Sequence, residues 1–161
     1  MEKYGFTSGG EKRVSFGKNC DKFNITKEQW DNYRIKNFFQ IDYNNASVVS
    51  NDLYKQLSKK YNLYIVSNEV LGNVEYKAKM LNIDLSHFKK VFAPTPDLLK
   101  NYVTKSGVYQ KIREIENCDF DEMFIVGDRY EVDIKPLEEL GGSGFLSSHT
   151  SNIEDFFASI V

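Results

Sequence analysis

Five residues could do chemistry together. Asp128 follows the apolar run Met123-Phe124-Ile125-Val126, and Asp133 follows it after a short loop. A run of that length and type reads as a buried strand. In a parallel α/β sheet, ligands bind at the carboxyl ends of the strands. Two carboxylates there suit Mg²⁺, which takes oxygen ligands and keeps several waters. Each acid has a plainer reading: Asp is common after Gly at a strand end, and an acid before a helix is often an N-cap. Ser67 and Asn68 close the run Leu63 to Val66, so a hydroxyl and an amide could hydrogen-bond a phosphate oxygen there, or simply cap the next helix. Lys105 precedes an amphipathic pattern; its ammonium could neutralise a phosphate or a carboxylate nucleophile, or be one solvated lysine among many. A hydroxyl, an ammonium and paired carboxylates on one rim are what phosphoryl transfer asks for: positioning, charge neutralisation and a bridging metal.

The elements that must carry these residues are legible from residue 51 onward. Leu53, Leu57 and Tyr61 share a helical face behind the cap candidates Ser50, Asn51 and Asp52. Val70, Leu71, Val74, Ala78 and Leu81 recur at helical spacing, and Val91-Phe92-Ala93 is a short strand stopped by Pro94. Thr95-Pro96 predicts a cap and a brief helix over Leu98, Leu99 and Tyr102. Lys105-Ser106-Gly107 reads as a break, after which Val108, Tyr109, Ile112 and Ile115 mark an amphipathic helix. Ile134, Leu137 and Leu140 share a face of another, ended by Gly141-Gly142, with Phe145-Leu146 the next strand. Ser151 and Glu154 form a capping-box pattern before Ile153, Phe156, Phe157 and Ile160. Alternating helix and strand predict βαβ units and a parallel sheet.

Residues 1–50 are weaker in pattern. Glycines 5, 9, 10 and 17 interrupt the start, and Arg13 to Phe16 is at most a short strand. Thr26 and Gln29 give a capping box opening a helix from Lys27 to about Phe39, in which Trp30 packs rather than stacks on a ligand.

Composition narrows the function. The chain has 161 residues, 41% hydrophobic and 14% aromatic, enough for a real core in one domain. A net charge of −2 gives no electrostatic case for nucleic acid or an anionic membrane. No apolar run reaches membrane-spanning length, and the N-terminus lacks the apolar centre of a signal peptide. Cys20 and Cys118 match no zinc pattern; two free thiols fit a reducing, cytoplasmic setting. His87 and His149 are isolated, and Arg129 could touch a substrate phosphate but reads rather as a loop arginine paired with Glu131.

The order of these motifs resembles the haloacid dehalogenase-like (HAD-like) superfamily of hydrolases, most of which are phosphatases. The family's second motif, a strand ending in Ser or Thr and usually then Asn, falls on Ser67 and Asn68. Its third, a lysine, falls on Lys105, with Lys100 and Lys111 as rivals. Its fourth, Gly-Asp and a second Asp, falls on Gly127, Asp128 and Asp133 within GDRYEVDIKPLEELGG. The resemblance spans residues 48–148. It implies a three-layer Rossmann-like parallel sheet over residues 51–161, with residues 1–50 as a small helical, cap-like segment. It also implies Mg²⁺ on Asp128 and Asp133, phosphatase-type hydrolysis using Ser67, Asn68 and Lys105, and a small phosphorylated molecule as substrate.

The family's first motif is Asp-x-Asp-x-Thr/Val at the end of a central strand. Its first Asp is the nucleophile and its second the general acid/base. Residues 1–50 hold no match: Asp21 to Thr26 has one Asp and no leading strand, and Asp42 lacks a second acid. Three explanations stand: a chain cut after that motif, a non-catalytic binding or interaction domain that keeps the pocket, or a different acid with Arg13 to Phe16 as central strand. A missing central strand would leave unpaired edges, inviting a homodimer or a donated strand.

Overall fold

A computed structural model describes residues 24–26, 29, 48–93, 105–147 and 150–161. The chain divides into two compact units, Met1–Asp42 and Tyr43–Val161. In the first, the Thr26–Gln29 capping box is made in both directions: the Thr26 N–H donates to Gln29 Oε1 at 2.9 Å and the Gln29 N–H to Thr26 Oγ1 at 3.1 Å. Arg13 to Phe16, Cys20, Asp21, Trp30, Asp42, the brief helix expected after Thr95, Lys100 and His149 lie outside the described residues.

The second unit is α/β. Helix α1 (Asn51–Leu57) starts at Ser50, whose Oγ accepts from the Leu53 N–H at 3.3 Å. It is followed by β1 (Tyr64–Val66), α2 (Leu71–Met80) and β2 (Lys90–Phe92). Next come α3 (Lys105–Glu116), β3 (Phe124–Gly127), a π-helical turn (Tyr130–Ile134), α4 (Lys135–Glu138), β4 (Ser143–Leu146) and α5 (Thr150–Ile160). Both α2 and α3 end at an asparagine in the left-handed region, Asn82 (φ 53°) and Asn117 (φ 49°). That conformation suits Asn and lets the next N–H reach back to an orphan carbonyl: Ile83 donates to Ala78 at 2.8 Å and Cys118 to Arg113 at 3.3 Å. Gly141 (φ +103°) ends the α4 turn in the same way.

β1 pairs with β2 and β3 with β4, each in parallel, as the alternation predicts. The two pairs are separate two-stranded sheets among the described residues, where one continuous sheet was expected. Helices tie them together. On α3, Val108, Tyr109 and Ile112 are buried on one stripe. The stripe is continued by Lys105, three and four positions earlier, which is why that side chain turns inward. On α5, the Phe156 ring stacks on Phe124 of β3 and Phe145 of β4, with centroids 5.1 and 4.6 Å away. The next residue, Phe157, meets Tyr54 of α1 edge-on, and the Tyr61 hydroxyl donates to the Ile160 carbonyl at 3.3 Å.

Three local expectations are corrected. Lys105-Ser106-Gly107 is helical, since the inward stripe starts at Lys105 rather than at Val108. Ser151 lies inside α5, which already includes Thr150, so it is no N-cap. The π-helical turn adds a wider turn ahead of α4 where a single regular helix was expected.

Candidate phosphate and metal site

β3 delivers its chain to the rim at Gly127. An added Cβ there would sit 2.5 Å from Asp133 Cβ, so only glycine lets the strand end pass against that side chain. The chain then wraps over Asp128 and Arg129 into the π-helical turn, a feature that in general clusters at functional sites. The wrap is fixed by the Arg129 carbonyl, which accepts from the Asp133 N–H at 2.8 Å and the Val132 N–H at 3.3 Å. From α3, the buried Tyr109 hydroxyl donates to the Asp133 carbonyl at 2.8 Å. Asp133 is thus held from its own backbone, from β3 and from α3.

The Asp133 residue is only 4% exposed, yet it is ionised in a full set of partners. Lys105 Nζ donates to Oδ1 in a short contact. The Arg129 N–H donates to Oδ2 at 3.0 Å. The Arg129 guanidinium lies 3.7 Å from Oδ1. Burial works to raise this carboxyl's pKa. The hydrogen bond and charge of Lys105, the charge of Arg129 and a hydrogen bond with Asp128 outweigh it, and Asp133 stays below the ordinary carboxylate value. Asp128 differs: its side chain is 58% exposed, and its Oδ1 lies 3.8 Å from Arg129 Nε.

Three sequence-identified residues, Lys105, Asp128 and Asp133, therefore meet directly. Asp133 is not a helix cap: the π-helical turn is preceded by Arg129 and α4 by Ile134, neither with a side-chain cap bond. Lys105 is the inward-turned lysine of α3, its side chain 11% exposed, whereas its rival Lys111 is exposed. Ser67 is fixed locally. Its N–H continues the β1–β2 ladder to the Phe92 carbonyl at 2.9 Å, and its Oγ accepts from the Glu69 N–H at 3.0 Å. Asn68 is exposed at the same strand end. Neither residue caps α2, whose N-cap is Val70 with no side-chain bond.

Two contributors were missed in the sequence. Tyr109 reads only as an apolar face, although a phenol buried on such a face needs a partner. Arg129 was paired with Glu131, but Glu131 bonds Lys135 at 2.8 Å and Arg129 turns to the two aspartates instead.

The donor set was tested against Mg²⁺. Among the described residues no group of three or more His, Cys, Asp and Glu side chains gathers to hold a metal ion. An exposed carboxylate beside a second one, with a cation already drawn to both, still fits the hydrated, one- or two-carboxylate mode that Mg²⁺ uses. Of the two, Asp128 is the exposed carboxylate, and Asp133 is committed to Lys105.

No protein-family model matches this chain, and no curated protein matches it. A solved structure does: a haloacid dehalogenase-like family hydrolase from Xanthomonas campestris, with a TM-score of 0.55 and 12% sequence identity. The match covers 89% of this chain and 64% of that one, so this chain spans under two thirds of its neighbour's length. At that identity the likeness concerns the fold. The chain has an α/β fold similar to that of a haloacid dehalogenase-like hydrolase. No helix among the described residues is long and apolar enough to cross a membrane.

Proposed function

We propose that this chain handles phosphate at the carboxyl ends of β1 and β3, by phosphatase-type hydrolysis of a small phosphorylated molecule with Mg²⁺. The observation that carries the reading is the contact of Lys105 with Asp133, from elements 28 positions apart, beside the exposed Asp128. The course of α3 supports placing Ser67 on the same rim. Its Glu116 end binds Asn62, Tyr64 and Lys89, at the amino ends of β1 and β2. Its Lys105 end binds beyond the carboxyl end of β3.

The charges suit such a ligand. Lys105 and Arg129 cancel Asp128 and Asp133, so a divalent cation would leave the rim with the charge a phosphate dianion needs. Asp128 would hold Mg²⁺, which supplies charge neutralisation at the phosphate oxygens. An ammonium has three donors, so Lys105 keeps others for the rim while bonded to Asp133. Ser67 and Asn68 would donate to phosphate oxygens. The nucleophile is the open part of the reading: none of the four described strands ends in a pair of aspartates. The hydrolase reading therefore requires a further acid at this rim, which the described strands do not supply.

The same observation favours a second reading, a non-catalytic domain that keeps the phosphate and metal pocket. Assay of the chain with p-nitrophenyl phosphate and Mg²⁺ separates the two. Turnover that is lost in Asp128→Asn supports the hydrolase. No turnover, with phosphate or Mg²⁺ still bound, supports the binding domain. Neither turnover nor binding overturns both.

A further inference from the structure

Arg129 is anchored by its backbone and loose at its tip. Its N–H and carbonyl make three hydrogen bonds with the 129–133 turn, at 3.0, 2.8 and 3.3 Å. Its guanidinium is 45% exposed and approaches Asp128 at 3.8 Å and Asp133 at 3.7 Å. Both separations exceed hydrogen-bond length, so the tip is held by charge rather than by directed bonds. The pair with Asp128 is exposed on both sides, and such pairs are worth little and readily exchanged. The two carboxylates flank this one guanidinium, an arrangement that needs positive charge nearby. Lys105 supplies it from the buried side, leaving the solvent side to Arg129.

We infer that the Arg129 guanidinium is the resident counter-ion of the Asp128–Asp133 pair, and that a divalent cation must displace it to bind Asp128. The inference rests on the metal reading of this site. It gives the residue after Asp128 a role neither catalytic nor merely structural: it keeps the carboxylates compensated when no metal is bound, at the cost of weaker metal affinity. The displaced guanidinium, tethered by an unchanged backbone, remains at the rim.

The test is calorimetric titration of the full chain with Mg²⁺. Arg129→Gln removes the charge and is expected to bind about tenfold more tightly, the size that Coulomb repulsion between a unit charge and a dication about 6 Å apart gives at the dielectric constant of water. Arg129→Lys restores a cation and is expected to bind close to the wild type, a pattern that loss of packing would not produce. Should Arg129→Gln not fold, the wild-type Arg129 Nε–H resonance is followed instead. Its shift toward a solvent-exposed position on Mg²⁺ saturation supports displacement, and an unmoved signal overturns it. Equal or weaker binding by folded Arg129→Gln overturns the inference while leaving the metal site standing. No Mg²⁺ binding by wild type or variant overturns the metal reading and this inference together.

Discussion

The two ends of α3 carry charges of the wrong sign for a helix. Lys105 stands in the first turn, where the macrodipole favours anions, and Glu116 in the last, where it favours cations. Each is compensated from elsewhere in the chain, but differently. Lys105, whose side chain is 11% exposed, meets Asp133, a carboxylate that also draws the Arg129 N–H and guanidinium. Glu116 accepts from Tyr64, Asn62 and Lys89 together, the last of these 51% exposed. Its pKa is lowered chiefly by the Tyr64 hydrogen bond, and the Tyr64 hydroxyl, through burial and then Glu116, is pushed up to about 12. The Glu116 end is an anchor with redundant donors. The Lys105 end is bonded to Asp133 and sits next to the exposed Asp128. A largely buried ion pair is costly scaffolding, which sets that end apart from the fastening at Glu116.

That contrast can be broken by mutation. Lys105→Met leaves Asp133 buried without its main cation and should cost about 3 kcal/mol in urea unfolding. Adding Asp133→Asn in the same chain should recover much of that loss. Glu116→Gln keeps an acceptor for Tyr64 and Asn62 and loses only a partly exposed ion pair, so about 1 kcal/mol or less is expected in the same experiment. Equal losses at the two ends would erase the distinction.

Acid gives a gentler probe. The folded pKa of Asp133 lies below its ordinary 3.8, so Asp133 stabilises the fold above that value, and the stabilisation fades as pH falls through the lower, folded value. Glu116 behaves alike from its ordinary 4.5. Stability measured between about pH 5 and pH 2 should therefore decline less steeply in Asp133→Asn than in the wild type. A decline unchanged in Asp133→Asn and flattened in Glu116→Gln would move the dominant acid-sensitive contact to the anchor end.

Much of this was legible beforehand because it is local. The apolar runs behind Ser67 and Asp128 became β1 and β3, the Val108, Tyr109 and Ile112 stripe became the buried face of α3, and Gly141 ended its helix as a C-cap should. Periodicity and capping act within a few residues, so they show in sequence. The pairing of Arg129 went wrong for the complementary reason: Glu131 is near in sequence, but the backbone wrap between Arg129 and Asp133 turns the guanidinium toward the aspartates.

The division is physical. By itself the sequence determined the types and positions of the groups and the alternation of helix and strand, since each depends on residue identity and short-range spacing. Only the tertiary structure decided that Asp133 is spent on Lys105 while Asp128 stays exposed, and that the four described strands stand as two sheets. Those outcomes depend on which buried charge finds a partner across 28 positions of chain. Desolvation decides that, and it acts only once the fold has closed around the carboxylate.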